Sequence, residues 1–565
     1  MHPNTTRGRR RGEAWKEFNM ILHQPVLMIT IILILAVLAV FVLYPIFRII
    51  RLGFTDEEGA LSLVSLMKIF GSRSYRTIFW NSILLATVVG ALSTVVGYIF
   101  AYAYTRTNMP GRRFFNTLAH VPIVSPPFIL ALSIIFLFGR QGIVTRGMLG
   151  IKNNNVYGFG SLVLIQVISF FPVAYLTLTG ILSAIDSSVE DAAMNMGASR
   201  WHIFRTVTFP LSMPGVISAF LLTFVQSLED FSNPAVIGGE FGTLSIEAYK
   251  TITGMYDLHG GSMLALVLLL PTVCAFALQR YWLNKKSFVT VTGKPTQAYR
   301  PRRSTAAIVF FVFCALVSAF VILLYGTVLV GAFAKTWGIN YTFCLDHFSY
   351  AWLLAKEALR KTTELSIIAA PIAGLLGIAI AFLTVRKRFP GRRVMQIASL
   401  LTFAIPGTVL GIGYISAFNT GLIVLTGTAT IIVAAYVFRN MSVSIESGSS
   451  TLLQIDRSIE EASAILGAGS GETFRRVTLP LLKQPFFSGI VFCFVRGMTA
   501  VSTVIFLVSP KWPLATSKIY SLFEISKYSD AAALVMIMIV IMLAVILVIN
   551  TAVTFILKPR AHKFQ

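Results

Sequence analysis

Charge is scarce in this 565-residue chain. Asp, Glu, Lys and Arg together make up 12%, against about 25% in ordinary soluble domains. With 56% hydrophobic residues, that shortage excludes both a disordered chain and an ordinary soluble enzyme. Cysteine is scarce too. Cys274, Cys314, Cys344 and Cys493 are scattered without CxxC spacing, which excludes a disulfide scaffold and a cysteine zinc site. There is no phosphate loop. The one Gly-Lys pair, Gly293-Lys294, is followed by Pro295 and has no glycine five residues before Gly293, so the chain should not hydrolyse ATP itself. No HExxH, nucleophile elbow or paired histidine cluster is present, and a membrane-embedded enzyme would need one. Acidic residues are few, 23 against 47 Lys and Arg, a net charge of +24. Such an excess suggests nucleic acid or an anionic surface as partner.

What is abundant is long apolar sequence. Runs lie near 26–47, 80–104, 119–138, 161–183, 213–228, 263–280, 305–333, 364–384, 395–417, 422–439, 485–508 and 531–557. Runs of this length predict membrane helices, because hydrocarbon offers backbone groups no outside partner. The predicted fold class is all-α and integral to the membrane, with twelve transmembrane helices. The first run is too long for a signal peptide and lacks a cleavage site, so it reads as an uncleaved anchor. Placing Arg7, Arg9, Arg10, Arg11 and Lys16 in the cytoplasm puts 29 Lys and Arg in inner segments and 15 in outer ones, as the positive-inside rule requires. Both termini are then cytoplasmic. The basic excess becomes an orientation signal facing anionic lipid, and nucleic acid drops out as a partner.

The chain repeats itself. Ile185–Leu211 and Ile455–Leu481 match at a constant offset of 270, with 13 of 27 positions identical. The matches include Asp186/Asp456, Glu190/Glu460, Gly197/Gly467, Phe204/Phe474 and Pro210/Pro480. Pro110-Gly-Arg-Arg113 recurs as Pro390-Gly-Arg-Arg393 at offset 280. The organisation predicted is a basic cytoplasmic N-terminus (1–25), a first half (26–283), a cytoplasmic linker (284–304) and a second half (305–565). Equivalent cytoplasmic loops lie at 184–212 and 443–482. Ala192 and Ala193 favour helix there, and Glu190 and Asp191 suit a helix N-terminus. Gly197 and Gly467 suggest a turn between short helices. A single such loop reads equally well as mere packing on the bundle. Two copies in equivalent loops favour docking of a two-fold partner. Arg112-Arg113 and Arg392-Arg393 read as anchors to anionic lipid.

At these residues the chain resembles the permeases of binding-protein-dependent ABC importers. Those permeases carry a loop of the form E-A-A-x3-G-x9-[IV]-x-[LF]-P. Here it stands as Asp191-Ala192-Ala193-x3-Gly197 with Val207, Phe209 and Pro210, and as Glu461-Ala462-Ser463-x3-Gly467 with Val477, Leu479 and Pro480. Asp191 replaces the usual Glu and Ser463 the usual second Ala. The resemblance implies a type I ABC importer permease of two homologous six-helix halves in a bacterial inner membrane. It implies ATPase-coupling roles for Glu190, Asp191, Ala192, Ala193, Gly197, Glu460, Glu461, Ala462 and Gly467. Two copies of an ATP-binding subunit would hold the ATP and Mg, and an extracytoplasmic substrate-binding protein would deliver cargo. The chain itself would need no cofactor. Ser227–Gly239 and Arg496–Pro510 resemble the ferric iron branch. Relatives for thiamine, polyamines, phosphonates and hexose phosphates share the architecture.

Ionisable residues inside spans are costly and usually functional or paired. Arg496 lies within an apolar run. Glu229 and Asp230 end the equivalent run of the first half. Ser227, Glu229, Asp230, Ser232, Arg496, Thr499 and Ser502 are therefore candidates for the translocation path. The competing role is a structural ion pair or lock between the halves. The oxygen donors among them suit a hard cation such as ferric iron. No firm metal site is assigned, since conduction needs ligands weak enough to release the cargo. His259 and His347 read as loop packing, and His120 and His202 as structural. An ion-coupled secondary transporter is the rival from another class. It would leave the doubled loop without purpose and would need more acidic groups at mid-membrane.

Overall fold

The computed structural model describes residues 24–56, 58–285, 305–421 and 423–557. The linker assigned to 284–304 lies outside them apart from Asn284 and Lys285, as does the N-terminal segment before Gln24. Among the described residues the architecture is helical, with a single small hairpin, β1 (Ala334–Thr336) and β2 (Asn340–Phe343).

The first half begins with α1 (Pro25–Gly53) and the short α2 (Val64–Gly71). The 34-residue α3 (Arg73–Arg106) follows. Next come α4 (Arg112–Val124), α5 (Ile129–Phe138), α6 (Phe159–Ala184), α7 (Ser187–Asn195) and α8 (Arg200–Ile203). The half closes with α9 (Phe209–Glu229), α10 (Ser232–Ile237), α11 (Leu244–Thr253) and α12 (Leu258–Lys285). The second half repeats the pattern. It comprises α13 (Thr305–Phe333), the 41-residue α14 (Asp346–Arg386), α15 (Arg392–Ala404), α16 (Gly407–Phe418), α17 (Ala429–Gln454), α18 (Arg457–Ile465) and α19 (Ser470–Thr473). Then follow α20 (Leu479–Leu481), α21 (Lys483–Met498), α22 (Ala515–Glu524) and α23 (Tyr528–Leu557). The offsets of 280 and 270 hold in the structure: α4 and α15 are 280 apart, and α6, α7 and α8 are 270 from α17, α18 and α19.

Among the described residues, nine helices are long and apolar enough to cross a membrane, or ten if the bent pair Gly471–Leu481 and Lys483–Met498 is one crossing. The apolar run at 395–417 is divided between α15 and α16, because Pro406 offers no N–H and forces Ile405 into extended backbone (ψ 124°). Pro126-Pro127 divides the 119–138 run in the same way, leaving Phe128 in left-handed backbone (φ 73°). The 422–439 run becomes α17, which carries Arg439 and Glu446. The 485–508 run stops being α-helical at Met498. Twelve crossings require the divided pair 392–418, α17 and the bent pair each to count as one.

Packing does not follow the sequence halves. One compact unit is Gly53–Leu354 with Ile519–Ile537. Among the described residues the other is 24–52, 355–518 and 538–557. Each unit thus holds the first helix of the other half. In the first unit α13 packs on α3 and α5: Phe310 and Phe313 meet Tyr102 and Phe100 at 5.3 and 6.4 Å, and Ser133 donates to the Leu324 carbonyl at 2.8 Å. In the second unit, Phe41 of α1 stacks on Phe438 at 5.2 Å, and Arg48 Nε donates to the Ser416 carbonyl at 3.0 Å.

At the centre of the first unit α3 lies on α6 and α9. A glycine allows the close approach. A Cβ on Gly97 would stand 2.7 Å from the Ala174 Cβ and the Tyr175 N, and one on Gly377 of α14 would stand 2.5 Å from the Ser444 Cβ. Gly97→Val and Gly377→Val should each cost about 1–3 kcal/mol by overpacking. The expected result is a lower melting temperature of the detergent-solubilised protein. Gly180→Ala, at an exposed helical position with nothing within 4 Å, should not lower it.

Candidate functional site

The doubled loop folds alike in both halves. Asp186 accepts from the Ser188 N–H at 3.0 Å and caps α7, and Asp456 does the same with Ser458 at 3.0 Å. The Ser458 backbone bond holds the Asp456 carboxyl below its ordinary value, and its hydroxyl adds to the effect. Each short helix ends on a glycine in left-handed backbone, φ 83° at Gly197 and 87° at Gly467. Space around both is open, so backbone conformation and not crowding demands glycine. Beyond the turn, Phe204 packs edge-on against Tyr102 of α3 at 5.5 Å, and Phe474 packs against Phe382 of α14 at 4.7 Å.

The two glutamates turn inward. Glu190 Oε1 accepts from Arg106 Nε at 3.1 Å and from the Thr208 hydroxyl at 2.8 Å. A second Arg106 nitrogen donates to the Ile185 carbonyl at 3.2 Å. In the other half Arg386 Nε lies 3.0 Å from Glu460 Oε1, an ion pair whose N–H is not aimed at the oxygen. Arg386 also donates to the Ile455 carbonyl at 2.8 Å, and Thr478 donates to Glu460 at 3.4 Å. Arg106 and Arg386 are the last residues of α3 and α14 and are almost wholly buried. Neither was among the residues singled out from sequence. The signal was available, because each stands four residues before the Pro-Gly-Arg-Arg repeat at the same offset of 280.

The rest of the motif faces outward. Ala192, Gly197, Glu461, Ala462 and Gly467 are exposed, and Asp191 and Ala193 are half-buried. Around them stand large apolar side chains: Met196 (83% exposed), Trp201, Ile465 and Leu466 (87%). These were not anticipated either. In Ser463, the replacement for the usual second Ala, the hydroxyl pairs with that of Thr473 at 2.9 Å.

The candidate path residues fall in different packing units. In the first, Asp230 is saturated. It accepts from Gln166 Nε2 at 2.8 Å, Asn233 Nδ2 at 2.7 Å, and the Ser232 and Asn233 N–H groups at 3.0 and 3.3 Å. Ser227 donates to Gln166 Oε1 at 2.5 Å. Ser227, Asp230 and Ser232 are thus brought together as a knot that fixes the bend between α9 and α10. Glu229 is half-buried at the end of α9. In the second unit Arg496 lies on an exposed face of α21, Thr499 bonds back to the Val495 carbonyl at 2.9 Å, and Ser502 abuts Gly407. Among the described residues no three His, Cys, Asp or Glu side chains group to hold a metal. His259 meets the Thr55 carbonyl at 2.7 Å, and His347 meets Asp530 at 2.6 Å.

The model of the family described as "Binding-protein-dependent transport system inner membrane component" matches residues 93–287 and again 373–563. A ferric transport system permease protein of Actinobacillus pleuropneumoniae is 35% identical over 513 residues, covering 88% of this chain and 74% of its own. A molybdenum transport system permease protein of Escherichia coli is 28% identical over 199 residues, 33% of this chain but 86% of its own. That relative therefore has the length of about one half. The crystal structure of a bacterial ABC transporter that imports alginate matches 47% of this chain at 16% identity and a TM-score of 0.39.

Removing one member of a buried ion pair leaves the other charged and unpaired, a cost of about 3–5 kcal/mol. Arg106→Ala should therefore raise amide exchange across 187–208 at least roughly a hundredfold. Arg386→Ala should do the same across 457–478. Mass spectrometry of exchanged peptides reads both.

Proposed function

The chain belongs to the family of inner-membrane components of binding-protein-dependent transport systems, and from that membership we propose that it imports ferric iron as the permease of an ATP-driven complex. A permease component of this family is not an enzyme. In the proposal ATP and Mg are held by two copies of a separate ATP-binding subunit. An extracytoplasmic binding protein delivers the iron, and both termini lie in the cytoplasm. The excess of Lys and Arg in the inner segments supports that orientation.

One observation carries the coupling role. Two equivalent loops are pinned inward by Glu190 and Glu460 while they expose Met196 and Trp201, or Ile465 and Leu466. Exposed apolar clusters on a polar loop mark a protein-docking surface. The two loops are equivalent, and Met196 and Leu466 correspond at the 270 offset, so they need two equivalent receiving grooves, as a pair of ATP-binding subunits would offer. Nucleotide-driven closure of that pair would move both loops, and the bundle would alternate its access around the path. The similarity to the Actinobacillus protein supports iron as cargo. The same transport role for thiamine, a polyamine, a phosphonate or a hexose phosphate is the alternative, and a ligand-bound cognate binding protein decides between them. Asp230 and Ser227 enter the proposal as the lock that shapes the bend, because their oxygens are already taken. Arg496 enters it as a path residue, because it stands on an exposed helix face.

An untagged ATP-binding subunit should copurify with the tagged permease. Replacing Gly197 and Gly467 by Val forces β-branched residues into left-handed backbone, at about 1–2 kcal/mol or more each. That pair of changes should reduce both copurification and uptake of radiolabelled ferric iron about tenfold. Unchanged association and transport would remove the loops from the mechanism. Arg496→Ala should lower iron uptake with assembly intact; normal uptake and normal ATPase coupling would remove Arg496 from the path.

A further inference from the structure

The long helices α3 and α14 are each fastened at two points 24 residues apart, with matching contacts in the two halves. At one end stand the Arg106 and Arg386 contacts with the loop glutamates. At the other, the Ser82 hydroxyl donates to the Ile78 carbonyl at 2.9 Å and accepts from the Leu244 N–H at 2.8 Å. Thr362 does the same with the Ala358 carbonyl at 2.7 Å and the Ala515 N–H at 2.9 Å. Leu244 and Ala515 are the first residues of α11 and α22. Their N–H groups have no acceptor within their own helices. Both hydroxyls are buried, Ser82 at 4% and Thr362 at 1% exposure. The preceding residues reach the same place: Asn81 bonds the Gly242 carbonyl at 3.4 Å, and the Lys361 ammonium sits 4.3 Å over the Trp512 ring.

The chain of contacts continues one step further. Ser245, next in α11, donates to the Asp230 carbonyl at 2.8 Å. Thr516, next in α22, donates to the Ala500 carbonyl at 2.7 Å. Asp230 and Ala500 are the bends that follow α9 and α21. Twenty-four residues of unbroken helix separate Ser82 from Arg106, and Thr362 from Arg386. At 1.5 Å per residue that is about 36 Å, enough to cross the hydrocarbon.

We propose that α3 and α14 are struts that carry movement between the coupling loops and the bends at Asp230 and Ala500. Ser82 and Thr362 are the positioning residues at the far end. Each bend is held from two directions. One is the helical run that leaves the loop and leads to it, α9 in the first half and the bent pair of α20 and α21 in the second. The other is the strut, through the helix it caps. A loop displaced by its ATP-binding subunit cannot shift one support without loading the other, and so it levers the bend instead of sliding the whole unit. This rests on the transporter reading above.

Two measurements test it. In the first, Arg106→Lys with Arg386→Lys keeps the charge but loses the second donor to the Ile185 and Ile455 carbonyls. Amide exchange should rise at least threefold in 244–253 and 515–524, at the far ends of the struts. Exchange raised only in the loops would overturn the proposal, whatever the cargo. In the second, Ser82→Ala with Thr362→Ala should lower the stimulation of ATPase by loaded binding protein about tenfold, while the ATP-binding subunit still copurifies. Ser82→Thr with Thr362→Ser, which restores a hydroxyl at each site, should recover it. Combining the alanine pair with the lysine pair should cost little more than either alone, because both interrupt one linkage. Multiplying losses, or stimulation unchanged in the alanine pair, would overturn the struts and leave the transporter reading standing. A wild-type complex without ferric uptake would instead overturn the cargo, and the exchange test would still decide the struts.

Discussion

The carboxylates of Glu190 and Glu460 are turned inward from otherwise exposed loops onto the terminal arginines of α3 and α14. Such a pair contributes little net stability, because desolvation offsets most of the Coulomb attraction. Its value is in position. A carboxylate that must meet a nearly buried guanidinium and a threonine hydroxyl leaves the loop one way to dock. That docking sets where Gly197 and Gly467 reverse the chain and which side chains are left outside. It also fixes where α9 and the bent run of α20 and α21 begin. The apolar tips at Met196, Trp201, Ile465 and Leu466 are exposed as a consequence.

The same economy governs the membrane-spanning part. Where the helices break, at Pro126-Pro127, at Pro406 and after Glu229 and Met498, freed backbone groups need partners that hydrocarbon does not supply. Hydroxyls and a guanidinium supply several of them. Ser245 and Thr516 meet the carbonyls of Asp230 and Ala500, Ser82 and Thr362 meet the N–H groups of Leu244 and Ala515, and Arg439 meets the Ile405 carbonyl at 2.8 Å. The breaks at Pro406 and after Glu229 and Met498 are therefore places where one element is tied to another. A break can be fixed in shape yet still transmit a load.

The loops were readable from sequence because a 27-residue repeat survives with Asp186/Asp456, Glu190/Glu460, Gly197/Gly467 and Arg205/Arg475 kept in both copies. Arg106 and Arg386 were missed although they obey the same offset, since a single basic residue at a helix end looks like any cytoplasmic charge. The pairing of Ser82 with Leu244 spans 162 positions, and no local pattern announces it. Asp230 is readable as an intramembrane acid, with a lock between the halves as its competing structural role. The partners it found, Gln166, Ser232 and Asn233, all lie within its own unit. The apolar runs marked where long helices fall but could not distinguish a straight crossing from a divided one. Hydropathy is a property of composition, whereas a break depends on which carbonyls a proline leaves unpaired.

Sequence alone determined that this chain is a membrane protein of two related halves with two equivalent protruding loops. Those features are written in hydrophobic run length, charge asymmetry and internal repetition, all local quantities. Tertiary structure decided the rest: that each packing unit takes in the first helix of the other sequence half, that the loop glutamates face inward, and that α3 and α14 are each held at two points 24 residues apart. These depend on contacts between residues far apart in the chain. Ion pairs and hydroxyl-to-backbone bonds are made by short polar groups whose identity is common and whose partner is chosen only when the helices pack.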